Sequence, residues 1–174
     1  MPLPAETVLD RWVRDELRKD SKFSAYIGKL DLETVERPAL RSYLYLVQAS
    51  MNEALRLEGV NASGGVEHLP FHFDYLAVSG GVANAHAFQA EDFAFIVVTL
   101  PVVELLWALS SALSRSPLVA QALSLGSETQ SDDLQELLFH LQLDFLVSHE
   151  YTHHVHRHCV EVYSGPQISD QAIS

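Results

Sequence analysis

The sequence predicts an α+β fold, mostly helical with a small sheet, and three observations carry that expectation. Apolar residues recur at helical spacing near residues 5–20, 38–59 and 131–158, on either side of the middle of the chain. Alternating and continuous apolar runs, the marks of half-buried and fully buried strands, fall together between residues 61 and 99. The chain has 174 residues, 48% hydrophobic and 20% charged, which is the composition of one compact domain long enough to bury a core. We therefore expect a single domain over residues 1–174, with a helical scaffold in 1–60, the sheet in 61–99 and two principal helices in 100–174.

In chain order, "AETVLDRWVRDELRKD" places Val8, Leu9, Trp12, Val13 and Leu17 on one side with charges elsewhere, an amphipathic opening helix. A turn-rich interval follows, and Pro38 then opens a second helix in "PALRSYLYLVQASMNEALRLEG", with Gly59 as its stop. In "NASGGVEHLPFHFDYLAVSGG" glycine pairs bracket an alternation of Phe71, Phe73 and Tyr75 against His72 and Asp74, which predicts a half-buried strand. "NAHAFQAEDFAFIVVT" predicts a strand with a bend, ending in the buried run "FAFIVV". Thr99 and Pro101 signal the start of the helix "LPVVELLWALSSALSR", and "SPLVAQALSLGSETQSDD" predicts a short helix or loop. Ser131 or Asp132 then caps a long final helix. That helix carries Leu134, Leu138, Leu141 and Phe145 on one stripe, continued by His149, Thr152, His153 and His156, and the stripe is expected to face the core. Polar groups on such a face need partners or a metal.

The formal net charge of -12, from 11 Lys plus Arg against 23 Asp plus Glu, argues against a nucleic-acid backbone as partner, since binding one needs clustered cations. The single cysteine, Cys159, leaves no intrachain disulfide, and "MPLPAETVLDRW" has no basic segment leading into an apolar one. A cytoplasmic chain beginning near Met1 is the expectation. Phe93 to Leu113 is apolar enough to raise a membrane span, but Glu104 at its middle costs about 2.5 kcal/mol or more. Division into a buried strand and a helix is the simpler reading.

Five of the nine histidines lie between His149 and His158, in "SHEYTHHVHRHCVEVY". Within it "HEYTH" sets His149 and His153 about 400° apart on a helix, so both imidazoles leave one face and can clasp one ion. Glu150 points about 100° away, as suits a carboxylate that takes a proton from activated water rather than binding the metal. Such a pattern arises by chance in roughly a few per cent of chains this rich in His and Glu. Its place late in a long helix, on the continuation of an apolar stripe, raises it above chance. His156 lies about 10 Å along the axis from His149 and is too far to join it. His154 and His158 are expected on solvated faces, His140 faces away from His149, and Cys159 reads as a small buried residue.

For a third ligand, Asp170 in "GPQISDQAIS" is preferred to Glu161, because Gly165-Pro166 is a break after which Asp170 opens a second helix. His68, His72 and His86 are upstream alternatives. An extended HExxHxxGxxH motif would need Gly at 156 and His at 159, where this chain has His156 and Cys159, so the metzincin pattern is absent.

With "HEYTH" in place, the chain resembles a zincin metallopeptidase of the gluzincin type. A second block, "NAHAFQAEDFAFIVVTLPVVELLWAL", resembles the NAxA, strand, threonine, helix order that precedes the zinc helix in the prenyl-protease-like and heat-shock-linked membrane peptidases and their small soluble relatives. The likeness spans Asn84 to Leu106 and His149 to His153. It implies a zincin-like domain with a small mixed sheet whose edge strand lies beside the metal-binding helix. It also implies Zn²⁺ on His149 and His153, Glu150 as general base, and a peptide or protein substrate lying along Ala87 to Phe95, with Asn84, His86, Ala87 and Phe88 as binding residues. Family members carry a third-ligand glutamate in an ExxA setting, where "SDQAIS" has Asp170. Tyr163 or His86 is a candidate oxyanion donor. Soluble relatives include regulators that cleave one protein partner. The alternatives are a catalytically silent zincin-like metal-binding or interaction module, and a membrane-embedded peptidase using Phe93 to Leu113.

Overall fold

The computed structural model describes residues 4–15, 24–61, 69–91, 93–124 and 131–156. Its elements are α1 (Ala5–Asp15), β1 (Tyr26–Lys29), a 3-10 turn (Leu32–Thr34), α2 (Pro38–Asn61), β2 (Phe71–Val78), β3 (Ala85–Ala90), β4 (Phe93–Thr99), α3 (Leu100–Ser114), α4 (Pro117–Ala122) and α5 (Ser131–Val155). Over the described residues this is an α+β arrangement of five α-helices and one mixed sheet in the order β1-β2-β4-β3. β2 and β4 run parallel, while β1 on β2 and β3 on β4 are antiparallel. The chain places β3 at the far edge and then brings β4 back between β2 and β3.

β4 explains why the sheet is central. Ala94 through Val98 are buried on both faces, so "FAFIVV" reads as a continuous apolar run and not an alternation. On one face Val8, Leu9 and Val13 of α1 pack against Leu76, Phe88, Phe95 and Val97. On the other, α2, α3 and α5 cover Phe73, Tyr75, Ile96 and Val98. Three layers result, helix on sheet on helices.

The predicted bent strand is instead two strands, because Glu91 takes φ 50° between β3 and β4 and its carboxylate pairs with Arg11 of α1. The segment therefore reverses and pairs with itself, Ala85 opposite Val98 through Ala90 opposite Phe93. β1 lies in the segment read as turns. It is short and carries Gly28, where a Cβ would come within 2.9 Å of Asp10 Oδ1, so the glycine lets α1 close onto the strand. The sheet thus draws a strand from the first sixty residues as well. Gly80 and Gly81, at φ 73° and 70°, turn the chain between β2 and β3.

Where β1 ends, Asn52 of α2 continues its ladder: Oδ1 accepts from Phe73 N–H at 2.8 Å and Nδ2 donates to Phe73 O at 2.9 Å. One residue on, Asp74 is 1% exposed and fully engaged. It accepts from Gln48 and from Tyr75 N–H, each at 2.8 Å, with Lys29 Nζ at 3.3 Å and His72 Nε2 at 3.4 Å. Among the described residues no helix is long and apolar enough to cross a membrane. Phe93 to Leu113 is divided into β4 and α3 at Thr99, whose hydroxyl donates to Val82 O at 2.9 Å and accepts from Asn84 N–H at 3.0 Å.

Candidate metal centre

α5 begins with Asp132 and Asp133 at the positive end of its dipole and runs uninterrupted through "HEYTH". Its buried residues are Leu134, Phe139, Leu143, Val147, Glu150 and His154. The expected core stripe is therefore displaced: Leu134 is buried, but Leu141, Phe145 and His149 are exposed. The helix is apolar around most of its circumference, and the sheet has taken the Phe139, Leu143, Val147 side.

Three contacts fix the rotation of the last turns. His154, expected at the surface, is 8% exposed and its Nε2 donates to Phe95 O of β4 at 2.9 Å. A carbonyl only accepts, which places the proton on Nε2, and Nδ1 is buried with no hydrogen-bond partner among the described residues. Phe71, at the start of β2, sits edge-on to His154 at 5.3 Å and against Tyr151 at 5.1 Å. Glu150 lies under the helix near the Ala87 N–H of β3, which favours its ionised form. Sequence reasoning missed His154 and Phe71 because the second apolar stripe of α5 masked the one that continues Phe139, Leu143 and Val147.

Held this way, α5 brings His149, Glu150 and His153 together, with one possible ligand atom of each within 4.8 Å of the others. His149 is exposed, His153 half-buried and Glu150 8% exposed. The imidazole rings are 5.0 Å apart and nearly perpendicular. Two histidine ligands of a tetrahedral zinc hold their nitrogens about 3.3 Å apart, a separation inside the 4.8 Å within which the possible ligand atoms already lie. Thr152 turns back on the helix, Oγ1 donating to His149 O at 2.6 Å. Burial raises the Glu150 pKa, against the pull of the His153 and His149 charges and the Ala87 N–H. Burial lowers that of His154, against its bond to Phe95 O.

His72 and His86 stand elsewhere. His72 is bound to Asp74, and His86 shares a hydrogen bond with Tyr26 on the α1 side of the sheet. Burial pushes the His86 pKa down to about 4. Phe88 is on that side too, stacked on Trp12 at 3.7 Å. Asn84 accepts from Ala85 N–H at 2.9 Å, and Ala87 presents its N–H to Glu150. Of the four residues proposed to bind substrate, Ala87 thus lies by Glu150, through its backbone N–H. His140 pairs with Asp144 at 3.2 Å, away from the pair. Asp170, Glu161, Tyr163, His68, His158 and Cys159 lie outside the described residues. No protein-family model, curated protein or solved structure matches this chain.

Proposed function

We propose that the protein is a zincin-like, zinc-dependent peptidase of the HExxH type that cleaves a peptide or protein substrate. The observation that carries this is the convergence of His149, His153 and a buried Glu150 beside the edge strand β3. His149 and His153 hold the ion, with Asp170, or Glu161 in its place, as third ligand. A zinc ion bound there supplies Lewis acidity, polarising a peptide carbonyl and making water nucleophilic near neutral pH. Glu150 receives the proton as water attacks the carbonyl carbon, then gives it to the leaving amine. Its raised pKa suits both halves of that transfer. The outer edge of β3 holds the substrate as an added strand, and a substrate carbonyl competes with Glu150 for the Ala87 N–H. The single cysteine fits a reducing compartment, and we place the protein in the cytoplasm.

The test is zinc content and peptide hydrolysis of wild type, Glu150→Gln and His153→Ala. We expect about one zinc per chain in the first two and little in the third, with hydrolysis in wild type alone and a loss of at least about 10²-fold in Glu150→Gln. Equal zinc in all three overturns the site. A second reading, a metal-binding module without turnover, keeps the same His149, Glu150 and His153 group. It predicts zinc in wild type and Glu150→Gln with no hydrolysis in either.

A further inference from the structure

Acidic residues outnumber lysine and arginine 23 to 11 in this chain, so a cation left without a carboxylate is unusual. Among the described residues Arg11 pairs with Glu91, Arg14 with Asp10, Lys29 with Glu6 and Asp74, Arg41 with Glu33 and Arg56 with Glu53. Arg37 and Arg115 are the two described cations with no carboxylate partner there, and they line the same open pocket, of about 400 Å³. Arg37 stands immediately before α2 and Arg115 immediately after α3, so the fold brings them together. Trp107, Ala108, Ser111 and Ala112 of α3 complete the lining.

Ser111 Oγ accepts from Arg115 Nη2, which holds that guanidinium at the pocket and leaves its other N–H groups, and the hydroxyl's own proton, free to donate. Arg37 makes no side-chain hydrogen bond among the described residues. Trp107 packs on Tyr43 and Phe139 at ring separations of 6.0 and 5.2 Å, and its half-buried indole meets the pocket beside two alanine methyl groups that cover little of it. No carboxylate lines the pocket. Glu104 is on the same face of α3 but about 16 Å along the axis from Arg115, and Glu36, next to Arg37 in sequence, is outside the lining.

Two guanidiniums facing one pocket repel each other unless an anion lies between them. The fork of a guanidinium matches the oxygens of a phosphate or carboxylate in pairs. Two forks and a hydroxyl exceed what one carboxylate can use, and they suit the three free oxygens and double charge of a phosphate monoester. The indole beside them suits an aromatic ester group, and the volume is that of a small molecule. We infer that the Arg37/Arg115 pocket binds a small aromatic phosphate monoester, with its phosphate between the guanidiniums and Ser111 Oγ and its ring against Trp107. The end of α3 that carries Arg115 meets the start of α5, where Ser114 bonds to Ser131, and from Ser131 to His149 is about 27 Å along α5. The pocket is thus a second site, and it does not rest on the metal reading.

Isothermal titration calorimetry with phenyl phosphate, inorganic phosphate, phthalate and phenol tests this. Wild type should bind phenyl phosphate at least about tenfold more tightly than inorganic phosphate or phthalate, more weakly as salt rises, and should not bind phenol measurably. Arg37→Gln and Arg115→Gln should each weaken phenyl phosphate about tenfold or more, with unchanged circular-dichroism melting curves because both residues are exposed. Arg56→Gln removes the same charge elsewhere on the surface and should bind as wild type does, as should His153→Ala. A loss in Arg56→Gln equal to that in Arg37→Gln would reduce the effect to bulk charge and overturn the site. So would undiminished binding in either pocket variant, no measurable binding of phenyl phosphate by wild type, or inorganic phosphate, phthalate or phenol bound as tightly as phenyl phosphate.

Discussion

Among the described residues two carboxylates lie below the surface, Asp74 on β2 and Glu150 on α5, and their surroundings differ in kind. Asp74 is met by two uncharged donors at 2.8 Å, by the Lys29 ammonium and by His72, so its lone pairs are used and its charge is balanced. Glu150 has the Ala87 N–H and two imidazoles beside it, one of them open to solvent, and burial works against its ionised form. A buried charge that is fully partnered stabilises the geometry around it. One that is only partly partnered, at the edge of an accessible pair of metal-type ligands, is held ready to exchange a proton. Asp74 is where β2, α2 and β1 are tied together; Glu150 is where chemistry is proposed.

The largest effect expected from this contrast is on stability. Asp74→Ala leaves Gln48 and the Tyr75 N–H without their acceptor and Lys29 with Glu6 alone, and should cost about 3 kcal/mol in urea unfolding. A cost under about 1 kcal/mol would break the comparison, since Asp74 would then be no better placed than Glu150.

Next is His86, behind β3 on the face away from Glu150. Its folded pKa is depressed to about 4, so the stability it contributes is fully present above its ordinary value of 6.5 and is lost as pH falls through about 4. The acid loss attributable to it is at most about 3 kcal/mol, and His86→Gln should flatten the melting temperature between pH 6.5 and 4. An unchanged acid slope in that variant would show that His86 is not buried in its neutral form.

The smallest effect sharpens the contrast most. The folded pKa of Glu150 is raised, so the stability tied to its protonated form is present below the ordinary glutamate value and is lost as pH rises through the folded one. Glu150→Gln keeps a neutral group at every pH. It should melt at or slightly above wild type at pH 8, with the difference closing by pH 4. A variant that melts well below wild type at pH 8 would make Glu150 a structural carboxylate like Asp74.

Much of this arrangement was legible in the residues. The spacing of Val8, Leu9 and Val13, the start of α2 at Pro38, the apolar run of β4 and the start of α5 at Ser131 all depend on interactions within a few residues, which periodicity and turn chemistry report, although α2 runs past the expected stop at Gly59 to Asn61. So does the pairing of His149 with His153, because a helix puts residues four apart on one face whatever surrounds it. β1 was not legible, since four residues with a glycine make sense only once β2 and α1 are beside them. The burial of His154 and the exposure of Phe145 were not legible for a related reason: α5 is apolar on two sides, and which side meets the sheet is decided by the sheet.

By itself the sequence determined the helices, the buried central strand and a histidine pair able to share an ion, all of them consequences of local spacing. Tertiary structure alone decided the rotation of α5. Phe95 O accepts from His154, Glu150 lies by the Ala87 N–H and Phe71 packs against the last turn, and these contacts from three strands turn the histidine pair outward. The physical reason is that a helix apolar around most of its circumference has no preferred face until partners with unsatisfied hydrogen-bonding groups choose one.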